Sequence, residues 1–166
     1  MSTDIKVAFH RKFVQGSSDT EFLTDLPVLE QRYPEHHELL LDFALDVTIG
    51  QPLKGVNKPS WQDRYGQAMR NSHIYLQHNL WHCHVLNTDK EPSTYTVNLH
   101  SNYGGLGAAP AVHYTKSREH SQIEIIGFSR QHSPFAKRDV DKEILTRRMS
   151  NPDPLYNLID MSEDDK

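Results

Sequence analysis

The sequence predicts an α+β domain in which two N-terminal helices pack on an antiparallel sheet of about four to five strands, with a further helix at the C-terminal end. Apolar residues recur every three to four positions between about residues 19 and 47, and every second position in later segments. The helical and strand segments are grouped along the chain rather than alternating. A chain of 166 residues is also long enough to bury one core.

The N-terminal third of the chain predicts one strand followed by two helices. Ile5, Val7 and Phe9 occupy every second position, which is typical of a strand with one buried face. The apolar stripe that follows ends at Pro34, and Pro27 within it marks either the first turn of a helix or a break. A second helix is predicted from about residue 35 to residue 49, with its apolar stripe at Leu39, Leu40, Phe43, Ala44 and Val47.

The rest of the chain predicts four strands and one helix. Residues 50–71 are typical of an irregular connector, and strands are predicted at residues 72–76, 80–86, 111–114 and 122–130. Residues 87–108 are polar and rich in glycine, so we expect a flexible loop insertion there. A basic helix is predicted over residues 135–149. The predicted organisation is therefore one domain over residues 1–149 and an acidic tail over residues 150–166.

Composition excludes several classes of protein. The longest apolar runs fall far short of the roughly 20 residues that a membrane span needs, and the polar start lacks the apolar region of a secretory signal. Cys83 is the only cysteine, which excludes an internal disulfide and a zinc site built from thiolates alone. We therefore expect a cytoplasmic protein with no membrane partner.

Charge is unevenly distributed along the chain. The formal net charge is −4, yet residues 113–148 carry eight basic and five acidic residues, whereas residues 149–166 carry five acidic residues and one basic residue. The field at a surface depends on charges within about one Debye length, ~8 Å at physiological salt, so the basic segment can face phosphate in an anionic protein. A solvated helix face with ordinary charges is the alternative.

The eleven histidines raise the question of a metal site. His82 and His84 share one face of a predicted strand, and His73 on the predicted neighbouring strand could join them as a ligand. Hydrogen-bonded histidines on the polar face of a strand explain the same pattern without a metal. His36 and His37, at the start of a predicted helix, are expected at the surface. We expect no metal or other cofactor and keep a histidine-bound metalloenzyme as an alternative.

The basic segment contains the types of side chain that enzymes use to cleave phosphodiesters. Cleavage of RNA without a metal needs a base for the 2′-hydroxyl proton, an acid for the leaving 5′-oxygen and cations for the charge that develops on phosphorus. Adjacent antiparallel strands would bring such groups together here. The candidates are His113, Tyr114, Lys116, Arg118, Arg130, His132, Lys137 and Arg138. A basic docking surface without chemistry is the alternative.

The same segments resemble a known family. The run His82-Cys83-His84-Val85, the pair His113-Tyr114, the strand from Ile123 to Gly127 and the run at residues 131–139 are similar to those of the YafO toxins of bacterial type II toxin–antitoxin systems. These toxins belong to the RelE-like superfamily, so the resemblance implies a RelE-like fold. It also implies an mRNA endoribonuclease that acts in association with the ribosome, inhibits translation and is neutralised by a partner antitoxin.

The resemblance also suggests roles for the candidates. It implies His132 as general base or acid, Arg130 and Arg138 as cations for the phosphate or transition state, and Lys137 as a second cation. His113, Tyr114, Lys116 and Arg118 are expected to contact the substrate. A non-enzymatic regulatory module that binds RNA or an acidic protein is the main alternative to the nuclease.

Overall fold

The structure is a computed structural model that describes residues 5–20, 23–49, 57–61, 73–87, 107–117, 122–130 and 139–156. These residues form six strands and five helices, which confirms the predicted α+β class. The strands are β1 (Lys6–His10), β2 (Asn57–Pro59), β3 (Leu80–Asn87), β4 (Gly107–Lys116), β5 (Gln122–Ser129) and β6 (Pro154–Leu155). The helices are α1 (Arg11–Gln15), α2 (Leu26–Arg32), α3 (Pro34–Ile49), α4 (His73–Gln77) and α5 (Asp139–Ser150).

The sheet is mixed, whereas the sequence predicted an antiparallel one. Its strand order is β2-β3-β4-β5-β1-β6, and all neighbours are antiparallel except β1 and β5, which run parallel. A parallel neighbour needs a long crossover rather than a tight turn, and here more than a hundred residues separate the two strands. β5 is buried along almost its whole length, as expected for an interior strand covered on both faces.

Helices cover the two faces of the sheet. On one face, Phe13 of α1, Leu29 of α2 and Phe43 of α3 join the main apolar cluster with the strands. On the other face, a smaller cluster brings Leu145 and Met149 of α5 against Ile126, together with residues of α4. Adjacent residues of a strand point to opposite faces, so Ile125 belongs to the first cluster and Ile126 to the second.

Several predicted elements have different bounds in the structure. Residues 73–77 form α4 rather than a strand, because Ile74 and Tyr75 pack on the smaller cluster while Leu76 remains exposed. After β1 the chain turns into α1 instead of continuing as a strand, and His10 accepts a hydrogen bond from the Lys12 N–H to cap that helix. Pro27 lies in the first turn of α2, which was one of the two positions predicted for it, the other being a break in the helix.

The C-terminal segment takes part in the sheet. α5 ends at Ser150, and Pro154 and Leu155 then pair with His10 and Phe9 of β1. The first residues of the predicted acidic tail therefore belong to the fold, and residues 157–166 lie outside the described residues. Most of the predicted loop insertion, residues 88–106, also lies outside them. Among the described helices none is long and apolar enough to cross a membrane.

Candidate functional site

Four of the eight predicted site residues lie in the described parts of the chain. They are His113, Tyr114, Lys116 and Arg130. The other four, Arg118, His132, Lys137 and Arg138, lie outside the described residues.

His113 and Tyr114 are buried on opposite faces of β4. Tyr114 packs against Phe43, with ring centroids 5.5 Å apart, and its hydroxyl donates to Oδ1 of Asn57. His113 lies on the other face, where its Nε2 shares a 2.6 Å hydrogen bond with Oγ of Ser129. Neither side chain has any solvent exposure. Both therefore serve the core in this structure, and neither can contact an RNA strand without opening the sheet.

Burial also sets the protonation of this pair. Desolvation, helped by the nearby His84, lowers the pKa of His113 to about 3, so its imidazole is neutral near pH 7. Burial raises the pKa of Tyr114 well above its usual range, so the phenol keeps its proton. Two neutral groups that exchange no proton near neutral pH are poor candidates for acid/base catalysis.

Lys116 lies far from Arg130. Its Nζ is 3.7 Å from the ring centroid of Trp81, and burial lowers its pKa to about 8. Lys116 pairs with Ile123 near the start of β5, whereas Arg130 follows the end of that strand. Seven residues of strand separate Ile123 from Arg130, which corresponds to about 23 Å. The strand register therefore places Lys116 and Arg130 near opposite ends of β5.

Arg130 is the predicted residue that the structure places among other functional groups. Its Nε donates to Oγ1 of Thr24 at 2.8 Å, and its Nη2 donates to Oδ1 of Asp19 at 3.1 Å. The guanidinium lies over the ring of Tyr33, with Cζ 3.9 Å from the centroid. Only 16% of the side chain is exposed. These contacts hold the guanidinium in one orientation at the end of β5.

A second arginine and a histidine complete this group, which we call the Arg130 cluster: Arg130, Asp19, Arg32, Tyr33 and His36. Nη1 of Arg32 donates to the other oxygen of Asp19 at 2.7 Å, so one carboxylate serves two guanidinium groups. The ring of His36 stacks on that of Tyr33, with centroids 6.3 Å apart. Within the cluster two cations face one anion, and the nearby Glu35 adds a second negative charge beside the histidine.

His36 is kept neutral by this environment. Desolvation and then the charge of Arg130 lower its pKa, and the nearby Glu35 opposes them. Its Nδ1 is buried and has no hydrogen-bond partner among the described residues. A neutral imidazole is able to accept a proton, and the effect of Arg130 on this pKa shows that the two side chains lie near each other.

Sequence reasoning missed most of this cluster. It placed His36 at the surface. The contact between Arg130 and Asp19 joins residues 111 positions apart, so no local spacing could have indicated that Arg130 joins this group.

The buried histidines form a separate group on the sheet face that carries His113. The rings of His82 and His84 are 5.3 Å apart, and those of His82 and His113 are 6.1 Å apart. Nδ1 of His82 shares a 2.9 Å hydrogen bond with Oγ of Ser60. His73 lies on α4 with its side chain exposed, not on the neighbouring strand as predicted. Within the described residues no group of three or more histidine, cysteine or acidic side chains could hold a metal ion.

The structure thus defines a mixed-sheet α+β protein with a basic, histidine-containing cluster at the end of an interior strand. Comparisons of the chain with models of known protein families, with curated proteins and with solved structures found no match. Its function therefore has to be argued from the geometry of the cluster and from the sequence.

Proposed function

We propose that the protein is the toxin of a type II toxin–antitoxin pair, and that it cleaves mRNA by metal-independent acid/base chemistry at the Arg130 cluster. The observation that carries the proposal is that Arg130, held in one orientation by Asp19 and Thr24, lies near a neutral histidine whose pKa it lowers. Cleavage of a phosphodiester needs both a cation and a proton acceptor close to the same phosphate group.

Each step of the reaction has a candidate group. A base removes the proton of a ribose 2′-hydroxyl, and the 2′-oxygen then bonds to phosphorus. The bond to the 5′-oxygen breaks while an acid gives that oxygen a proton, so the products are a 2′,3′-cyclic phosphate and a 5′-hydroxyl. In this proposal Arg130 stabilises the phosphorane, and the imidazoles of His36 and His132 divide the roles of base and acid.

His132 is included in the proposal because of its position in the sequence. It follows Arg130 by two residues in the chain. Lys137 and Arg138 are further cations for the RNA backbone in the proposed mechanism, as the resemblance to the YafO toxins implies. Phosphate contacts of this kind position a nucleic acid without reading its sequence.

The proposal includes three partners: mRNA, the ribosome on which it is translated, and an antitoxin protein that neutralises the toxin. It also includes action in the cytoplasm, where messages are translated. A binding module without turnover is the second candidate. The observation that favours it is that Arg130 is already hydrogen-bonded to Asp19 and Thr24. A guanidinium whose charge is balanced by a carboxylate is as suited to binding a partner as to catalysis.

Cleavage of a labelled RNA by the purified protein tests the proposal. The assay contains EDTA and is run with free RNA and with ribosomes translating a message. We expect products that end in a 2′,3′-cyclic phosphate in at least one of these settings. Arg130→Gln is expected to lower the cleavage rate about 10²–10³-fold, as for the loss of one donor to a developing charge. His36→Gln is expected to lower it about 10²-fold or more.

The matched control is Lys142→Gln, which removes a positive charge from an exposed position of α5. Its cleavage rate should equal that of the wild type. Arg130→Gln also loses two hydrogen bonds, so thermal unfolding is measured in parallel, and Arg130→Lys keeps the charge without the fork geometry. RNA that is bound but never cut would support the binding module, and growth that is unaffected by expression of the protein would count against the toxin.

A further inference from the structure

A cavity separate from the Arg130 cluster lies between α1 and the C-terminal end of α5. Its volume is about 590 Å³, which is within the range of sites that hold small organic ligands. The charged side chains that line it are Lys12, Arg147, Arg148 and Asp153. Three cations and one carboxylate give the lining of the cavity a net positive charge.

The carboxylates near the cavity are already engaged. Asp153 accepts a hydrogen bond from Nε of Arg11 at 3.1 Å. Arg148 is buried, and its charge is balanced by the buried Asp25 at 3.0 Å. The charges that remain for a ligand are therefore those of Lys12 and Arg147.

Lys12 and Arg147 are accessible. Lys12 is exposed, and none of the ion pairs seen within the described residues involves it. Arg147 pairs with Glu143 one turn away on α5, but both side chains are more than half exposed. Exposed pairs of this kind contribute little to stability, so a ligand can displace Glu143 at little cost.

Two carbonyl groups, that of Arg147 in the last turn of α5 and that of Asn151 just beyond the helix, have donors and so oppose an anion less strongly. The backbone and side-chain N–H groups of Asn151 both donate to the carbonyl of Arg147, at 3.0 and 2.9 Å. Nδ1 of His10 accepts from the Lys12 N–H, which leaves its Nε2–H to donate to the carbonyl of Asn151 at 2.9 Å. The negative end of the helix dipole is thus partly neutralised at the cavity.

The cavity also has an apolar part. Ile144 and Pro152 lie in the same wall as the cations. A ligand that fits both parts carries a compact anion at one end and a flat or apolar group at the other. Arginine and lysine side chains together are a common means of holding phosphate.

From these features we propose that the cavity binds a nucleoside phosphate, with the phosphate between Lys12 and Arg147 and the nucleoside against Ile144 and Pro152. The ligand is either a free nucleotide or the phosphorylated 5′ end of an RNA chain, since the two share this chemistry. The inference goes beyond the proposed function and stands without it, because Arg130 does not line the cavity.

Calorimetric titration of the full chain tests the proposal. The probes are adenosine 5′-monophosphate, adenosine, inorganic phosphate and an RNA octamer with or without a 5′-phosphate. We expect the monophosphate to bind at least about tenfold more tightly than adenosine, since one charge-assisted contact changes affinity by roughly that factor. Tight binding of the phosphorylated octamer alone would also support the proposal and would identify RNA ends as the source.

The variant Lys12→Gln/Arg147→Gln is expected to weaken binding of the phosphorylated probe about tenfold or more. It leaves Arg148 and Asp25 in place, so the fold should be kept. The matched control, Lys6→Gln/Lys142→Gln, removes two positive charges from exposed positions outside the cavity and should bind as the wild type does. Equal binding by both variants, adenosine binding as tightly as its phosphate, or no binding by any probe would overturn the proposal. Cleavage by the Arg130 variants is a separate measurement, so the two proposals can fail independently.

Discussion

Replacement of Arg148 by methionine is expected to destabilise the protein by about 3–5 kcal/mol, the usual cost of removing one partner of a buried ion pair. The guanidinium of Arg148 joins three parts of the fold. Nη1 donates to the carbonyl of Ile126 in β5 at 2.7 Å, Nη2 lies 3.0 Å from Oδ1 of Asp25, and α5 carries the side chain itself. Asp25 is 1% exposed, so the substitution would leave a carboxylate in the interior without its cation. The amide N–H of Ser18 would still donate to it.

The stability lost in the Arg148→Met variant should be larger at high pH than at low pH. Burial raises the pKa of Asp25 above its ordinary value of 3.8, and the charge of Arg148 is the largest effect that opposes the rise. Without Arg148 the pKa of Asp25 rises further. A carboxyl whose pKa is higher in the folded state destabilises the fold above that pKa and ceases to do so as the pH falls towards the unfolded value. The variant should therefore be closer to the wild type near pH 5 than near pH 8.

Urea unfolding at both pH values measures this effect. With a slope of about 2 kcal/mol per molar urea, the expected loss near pH 8 lowers the midpoint by about 2 M. The double variant Asp25→Asn/Arg148→Met should recover part of the loss, because it leaves no charge in the interior. A loss below about 1 kcal/mol, or a loss that does not change with pH, would show that Arg148 does not balance the charge of a buried Asp25 carboxylate.

Three further predictions concern Gly16, His113 and Lys116. Gly16→Ala should cost about 1–3 kcal/mol in urea unfolding, because an added Cβ would lie 2.1 Å from a buried carboxylate oxygen, whereas at Gly127 it would meet the end of a leucine side chain and cost less. Because the pKa of His113 is lowered to about 3 in the folded protein, the free energy of unfolding should be retained above pH 6.5 and should fall as the pH falls below that value, by up to about 1.4 kcal/mol per pH unit. The free energy of unfolding of the His113→Gln variant should depend correspondingly less on pH. Deprotonation of Lys116 should change the fluorescence of Trp81 with a midpoint near pH 8, and Lys116→Met should abolish the change.

Regular periodicity made part of the fold predictable. The alternation at Trp81, Cys83 and Val85 placed these residues on the apolar face of β3, where the main cluster contains them. The stripe of Leu40 and Phe43 likewise indicated the buried face of α3. In both segments the side chains that carry the pattern are the ones that the core buries, so local sequence and tertiary packing agree.

Other features depend on contacts that are distant in the chain. The insertion of β1 between β5 and β6 has no local signal, because strands of either direction show the same alternation. Residues 73–77 are too few for a period of two to be told from one of 3.6. The candidate site is affected most: Arg130 was predicted from its residue type, but Asp19 and His36 join it only through the tertiary fold.

Cleavage of RNA in EDTA by wild-type protein and by the Arg130→Gln variant tests the central proposal most directly. We expect products with a 2′,3′-cyclic phosphate from the wild type and a rate about 10²–10³-fold lower for a variant that remains folded. A wild type that leaves both free and ribosome-bound RNA intact, or a folded variant that cuts as fast as the wild type, would contradict it.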